Sequence, residues 1–182
     1  NIFISIIVGL LGGVGLAFMF EYLDDTIRSV DGVESTGVAI LGNVPEVIDP
    51  EDKMTGKEKD IITQFRPRDP ISEAFRSFRT SIFLLATEEH PIKSLLITSP
   101  GPSEGKTFTS VNLGIVLAQN RKRVLLVDAD MRKPRLDTIL DKENKVGLSD
   151  YLSNQVAFEK IIQSTNIDGL SFVPGGSLPP DP

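Results

Sequence analysis

Three short stretches of this sequence hold residues whose types and spacing could do chemistry. The first runs from Thr98 to Thr107 and nearly fits G-x-x-x-x-G-K-S/T, with Pro100 where the first glycine usually stands. A loop of this kind turns consecutive backbone N–H groups and a helix N-terminus toward anionic phosphates. Gly105 lets the backbone approach closely, Lys106 sets a positive charge on the terminal phosphates, and Thr107 offers a hydroxyl to Mg²⁺. The second stretch, Val124 to Pro134, sets Asp128 and Asp130 two apart after an apolar run, with Arg132 two further on. Residues two apart on a strand share a face, so both carboxylates could point at one metal–phosphate site. Two acids there would repel each other unless Mg²⁺, Lys106 and Arg132 compensate. One aspartate is assigned to Mg²⁺, directly or through water, and the other to general-base work on a hydroxyl. Without the phosphate loop beside them, the pair would read equally well as strand-end acids capping a turn.

The third stretch is Glu73, Arg76 and Arg79, spaced by three beside Phe75 and Phe78. Spacing alone favours an intrahelical Glu–Arg pair, which contributes about 0.2–0.5 kcal/mol.

The elements around these stretches are α/β in pattern. Ser94 to Thr98 reads as a strand, Thr107 to Gln119 as a helix stopped by a left-handed Asn120, and Val124 to Val127 as a second strand buried on both faces. Together they predict a βαβ unit. Leu148 to Leu152 and Phe158 to Gln163 read as helices, and Leu170 to Val173 as a third strand. Upstream, Asp69 is an N-cap, Pro70 takes the first helical position, and Ile71, Phe75, Phe78, Ile82 and Leu85 form an apolar stripe that ends before His90 and Pro91. Residues 46–69 are charged and proline-punctuated and read as a linker. A short helix and then a short strand, Val38 to Leu41, are expected before it.

Residues Ile2 to Phe20 carry no charge. Nineteen residues at 1.5 Å each reach about one hydrocarbon thickness. No small-residue cleavage signal follows, so the stretch reads as a membrane span over 1–20, with 21–69 as juxtamembrane segment and linker and 70–182 as a truncated nucleotide domain. Gly9 and Gly13 form a weak G-x-x-x-G pair. Positive-inside logic through Arg28 favours a cytoplasmic side after about residue 21, and an ATP-dependent motif points the same way.

Composition excludes some classes. The net charge is −6 and the chain carries no basic stripe of the kind that tracks a nucleic-acid backbone, so no nucleic-acid partner is expected. The chain has no cysteine, which removes disulfides, zinc ribbons and thiol catalysis. The single histidine, His90, reads as a surface residue. The first residue is Asn and the last run is proline-rich, so the chain reads as a piece cut at both ends.

The two nucleotide motifs together resemble the bacterial tyrosine kinases of capsule and exopolysaccharide synthesis, the BY-kinases, whose membrane part is a polysaccharide co-polymerase. That family carries a Walker A loop and a Walker A′ motif of the type hydrophobic run, D-x-D-x-R, here Asp128, Asp130 and Arg132. The membrane stretch running into Asp24 and Asp25, the segment Gly37 to Pro45, and Gly175 to Pro182 are similar to the family's as well, with Asp181 in place of Asn. The resemblance implies a MinD/ParA-like P-loop fold with a mostly parallel sheet and flanking helices, incomplete at the C-terminus. It implies ATP and Mg²⁺ as cofactors, with Gly101, Pro102, Ser103, Glu104, Gly105, Lys106, Thr107, Phe108 and Arg132 as the nucleotide contacts. Lys106, Asp128 and Asp130 are the catalytic set, and Thr107, Asp128 and Asp130 the Mg²⁺ set.

Glu73, Arg76 and Arg79 match the family's E-x-x-R-x-x-R helix, which implies a ring-like homo-oligomer. Further implied partners are the tyrosine tail of a neighbouring subunit, the polysaccharide export machinery and the bacterial inner membrane. A Walker B aspartate and the tyrosine tail are expected downstream. Tyr22 and Tyr151 are not clustered, and neither is assigned as a phosphorylation site. Two other classes compete: a non-catalytic ATP-binding co-polymerase scaffold, and a ParA/MinD-like ATPase. The ATPases place a second lysine where this chain has Gly101.

Overall fold

The computed structural model describes residues 2–23, 37–49 and 53–178. The chain divides into two units, Asn1–Ile40 and Leu41–Pro182. In the first, α1 (Ile2–Tyr22) is uncharged over all but its last turn, and none of its residues is buried. Its length and hydropathy suffice to cross a membrane. The helix expected near residue 30 lies outside the described residues.

The second unit is α/β. Its elements are α2 (Gly56–Asp60), α3 (Ile62–Phe65), α4 (Pro70–Leu85), α5 (Lys106–Gln119), β1 (Val124–Val127), α6 (Leu136–Leu140), α7 (Leu148–Leu152), α8 (Phe158–Ile161), β2 (Gln163–Ser164) and β3 (Leu170–Val173). The sheet runs β1-β3-β2; β1 and β3 are parallel, with Val124 opposite Leu170, and β2 is antiparallel to β3. On one side Val111, Ile115, Leu126, Leu136, Ile139, Leu170 and Phe172 form a core under α5 and α6. On the other side of α5, Leu113 and Val116 pack with Ile71, Phe75 and Ile82 of α4.

Helix α4 forms as the pattern requires. Asp69 accepts the N–H of Ile71 at 2.9 Å, Pro70 opens the first turn, and Ile71, Phe75 and Ile82 are buried. Leu85 at its end is exposed.

Several sequence expectations need correction. Residues 53–69 are not a loose linker. Thr55 caps α2 in a capping box with Glu58, and Met54, Ile61, Ile62 and Thr63 are buried. Buried Asn112 of α5 fixes this segment: its carbonyl accepts from the Thr63 N–H at 3.0 Å and the Thr63 hydroxyl at 2.7 Å, and its amide donates to Asp60 O at 2.8 Å. High local charge hid a few apolar anchors that suffice to bury it.

Ser94 to Thr98 enters no ladder among the described residues, and Leu96 is 88% exposed. The expected βαβ pairing is therefore replaced by the β1–β3 parallel pair. β1 is covered on one face only, with Leu126 buried under α5 and Leu125 and Val127 exposed. Val38 to Leu41 is irregular rather than a strand. The left-handed residue after α5 is Arg121, φ 59°, and not Asn120, φ −88°. Phe158–Ile161 is helical, but Gln163 has already entered β2.

Candidate nucleotide site

The loop before α5 closes on itself. Gly105 caps α5 at φ 85°, a conformation that suits glycine, and a Cβ there would meet nothing within 4 Å, so the approach to its backbone is open. Lys106 is the first helical residue. Its Nζ donates to Ser99 Oγ at 3.1 Å and to Gly101 O at 3.2 Å, while Ser99 Oγ donates to the same carbonyl at 2.7 Å. The N–H of Gly101 donates to the Glu104 carboxylate at 3.0 Å. Gly101 is thus held at both its N–H, by Glu104, and its carbonyl, by Lys106 and Ser99. Ser103 completes the bend with φ 62°. Pro102, Ser103 and Glu104 are exposed, and Thr107 is half-buried in the first turn of α5. The Phe108 ring is engaged elsewhere: it packs edge-on against Phe75, ring centres 5.7 Å apart. Its side chain therefore belongs to the core between α4 and α5.

Helix α5 turns back into β1 through residues 120–123 and packs on it closely, since a Cβ on Gly114 would lie 3.0 Å from Leu126. The start of α5 and the end of β1 thus share one end of the sheet, the carboxyl end where open α/β sheets hold ligands. That is the arrangement the two motifs require of each other.

The aspartates divide their work. Asp128 is 7% exposed, and its carboxylate accepts the N–H groups of Asp130 at 3.2 Å, Arg135 at 2.9 Å and Leu136 at 3.0 Å. Both oxygens hold the loop between β1 and α6. Asp130 is exposed and accepts the N–H of Lys133 at 3.0 Å. Arg132 is exposed on the same loop. Among the described residues no group of three or more His, Cys, Asp or Glu is placed to hold a metal by itself. Mg²⁺ that arrives with a nucleotide needs only one or two protein oxygens beside the phosphates. Thr107 and the exposed Asp130 fit that demand better than Asp128 does.

Sequence reasoning missed a polar brace behind Asp128. Gly175 follows β3; a Cβ there would lie 3.1 Å from Pro134 and 3.9 Å from Asp128 O. The loop Gly175–Ser177 is held by buried Asp150, which accepts from the N–H of Gly147 at 2.8 Å, the N–H of Ser177 at 3.2 Å and the Ser177 hydroxyl at 2.8 Å. Burial pushes the Asp150 carboxyl up, but the donors from Gly147 and Ser177 outweigh it and hold the group below the usual carboxylate range. Asn144 accepts the N–H of Gly176 at 2.7 Å. No local motif announces the Asp150–Ser177 and Asn144–Gly176 partners, which lie 27 and 32 residues apart.

On α4, Arg76 pairs with Glu73 within the helix, as spacing alone suggests. Arg79 turns inward, donating to Val116 O at 3.4 Å, with its Nε buried and lacking a partner.

Residues 95–170 match the family described as the CobQ/CobB/MinD/ParA nucleotide binding domain. A putative tyrosine-protein kinase in the cps region of Klebsiella pneumoniae is 32% identical over 187 residues, covering 98% of this chain and 26% of that protein. The tyrosine-protein kinase YwqD of Bacillus subtilis is 39% identical over 125 residues, covering 69% of this chain and 52% of that protein. Among solved structures, the BceF tyrosine kinase domain superposes with a TM-score of 0.73 at 34% identity, over 85% of this chain and 64% of that one. The kinase domain of the Escherichia coli tyrosine kinase ETK gives a TM-score of 0.74 at 29% identity, over 86% and 63%. The chain thus spans about a quarter to a half of the length of these two curated relatives.

Proposed function

Since the chain belongs to the bacterial tyrosine kinases, we propose that its whole protein is a membrane-anchored, ATP-dependent protein-tyrosine autokinase that regulates capsular or exopolysaccharide polymerisation and export. One observation carries the reading: Lys106 closes the loop before α5, donating to Ser99 Oγ and Gly101 O, at the sheet end where the Asp128–Asp130 segment emerges. In this reading the backbone of Gly101 to Thr107 and the Lys106 ammonium bind the β- and γ-phosphates of ATP. A tyrosine oxygen attacks the γ-phosphorus, the bond to the ADP oxygen breaks, and the tyrosine proton passes to a carboxylate. Asp130 is the exposed acid available for that step or for the metal, while Asp128 acts as a positioning residue through the loop it holds. Mg²⁺ would supply charge neutralisation between the phosphates, with Thr107 and Asp130 as its protein ligands.

In this reading α1 is an anchor in the bacterial inner membrane, and the nucleotide unit works on the cytoplasmic side, where ATP is. Self-association runs through the α4 face of Glu73, Arg76 and Arg79, which would carry the tyrosine tail of one subunit to the site of the next. The test is direct. The full-length protein with ATP and Mg²⁺ should gain phosphotyrosine, and Lys106→Met should lose it. An intact oligomer that binds ATP yet forms no phosphotyrosine would leave only the scaffold role.

A further inference from the structure

At the end of the sheet away from the phosphate loop lies a cleft of about 570 Å³, open to solvent. Arg121, Lys122 and Arg123 line it, together with the amide side chains of Gln64, Gln119 and Asn166; Asp168 is the one carboxylate there. Three cations against one acid give a positive surface on an otherwise acidic chain.

The donors are largely uncommitted. Neither the Arg121 nor the Arg123 guanidinium has an ion pair or hydrogen bond among the described residues. Lys122 Nζ sits over the Phe83 ring, 5.7 Å from its centre. Arg121 also holds φ 59°, a conformation that disfavours any side chain with a Cβ. Two free guanidiniums at the rim of a concave, amide-lined surface are suited to phosphate oxygens.

The same chain supplies a reason for phosphate groups to be near. Helix α1 is long and apolar enough to cross a membrane. The nineteen residue-to-residue steps from Tyr22 to Leu41 reach at most about 65 Å even when extended. A bilayer holding α1 is therefore present at high effective concentration for the second unit. We propose that the Arg121–Arg123 cleft docks on the phosphate headgroups of an anionic membrane surface. The proposal rests on α1 being a membrane span. Each Lys or Arg near such a surface strengthens attachment roughly fivefold, and the rest of this acidic chain opposes it.

The chain has no cysteine, so Asn120→Cys gives a single fluorophore site at the cleft. The full chain is reconstituted in nanodiscs carrying a headgroup-linked quencher, of phosphatidylcholine alone or with 30% phosphatidylglycerol. Docking predicts quenching in the anionic discs that is lost in 0.5 M NaCl. Arg121→Glu with Arg123→Glu should lower the docked-to-undocked ratio by about 25-fold or more. Arg121→Gly with Arg123→Gln removes the same charges while relaxing the backbone, and should act in the same direction if the first pair disturbs folding. Equal quenching in both discs, or quenching untouched by either pair, overturns the proposal. A fluorescence change on adding inorganic phosphate to phosphatidylcholine discs, without dependence on anionic lipid, assigns the cleft to a small soluble anion and overturns membrane docking. Alkaline carbonate extraction separates the two readings. A chain that resists extraction but is not quenched fails only the docking; a chain that is extracted fails both.

Discussion

Replacing Asp128 by Asn separates two roles that the motif alone cannot tell apart. If Asp128 chiefly faces a metal, its charge is a burden in the nucleotide-free protein, and neutralising it relieves repulsion with Asp130. The structure gives it another task. One oxygen accepts the Asp130 N–H, and the other accepts those of Arg135 and Leu136. An asparagine has only one accepting oxygen. Oriented to keep Arg135 and Leu136, it sets its own NH₂ against the Asp130 N–H; flipped, it loses two bonds. At 7% exposure, water cannot readily replace them. Hydrogen bonds to charged groups contribute about 1.5–3 kcal/mol each, and a buried donor left unpaired costs about 1–3 kcal/mol. The expected loss is therefore about 2 kcal/mol, or roughly 4–8 °C in Tm for a chain of this size. The assay is thermal and urea unfolding followed by circular dichroism, without nucleotide or Mg²⁺, at neutral pH. A variant as stable as the parent, or more stable, would refute the loop-holding role and return Asp128 to the metal.

Three other outcomes follow from single contacts. Glu104→Ala frees the Gly101 N–H and should weaken nucleotide binding several-fold by calorimetry, whereas Glu104→Gln keeps an acceptor at that position and should bind as well as the parent; equal binding by all three would remove Glu104 from the site. Arg121→Gly relaxes the left-handed turn after α5 and should stabilise the fold by about 0.5–1 kcal/mol in urea, a gain that Arg121→Ala should not give. Asp150 has a depressed carboxyl pKa in the folded protein, so its contribution is present above the ordinary value of 3.8 and is lost as pH falls through the lower folded value. Asp150→Asn should therefore cost stability at pH 6 but progressively less in the acid range, and a penalty independent of pH would show that the charge is immaterial.

The parts of the fold legible in the sequence are those set by local rules. Asp69 and Pro70 announce α4, the Gly105-Lys106 step announces the start of α5, and a continuous apolar run announces β1. What escaped depends on partners distant along the chain. A strand exists only with a neighbour, so Ser94 to Thr98, with the composition of a strand, forms no ladder. Asn112 is an unremarkable polar residue in a helix until Thr63, 49 positions earlier, is laid against it. The charge and position of Asp128 mark it in the sequence, but the three N–H groups it gathers come from a turn whose shape the sequence does not spell out. The Gly175–Ser177 loop became visible as part of the site only once Asp150 and Asn144 were seen to hold it.

These contacts also say how the candidate site is held without a ligand. Asn112 bonds to Phe108 O within α5 at 2.9 Å and to Asp60 and Thr63 in the upstream segment. Phe108 in turn packs on Phe75 of α4. The first turns of the helix that carries Lys106 are therefore clamped between α3 and α4, elements that a reading by motif assigns to a linker and to an oligomer face. A phosphate-binding loop is useful to the extent that its amides are aimed before the anion arrives, because ordering them on binding would weaken affinity. Here the ordering comes from the buried amide of Asn112 and the Phe75–Phe108 contact on the helix side, and from Glu104 and Lys106 on the loop side. The segment joining the nucleotide unit to the rest of the chain is thus part of the scaffold of the site, and its removal at residue 69 would unsettle the helix that presents the lysine.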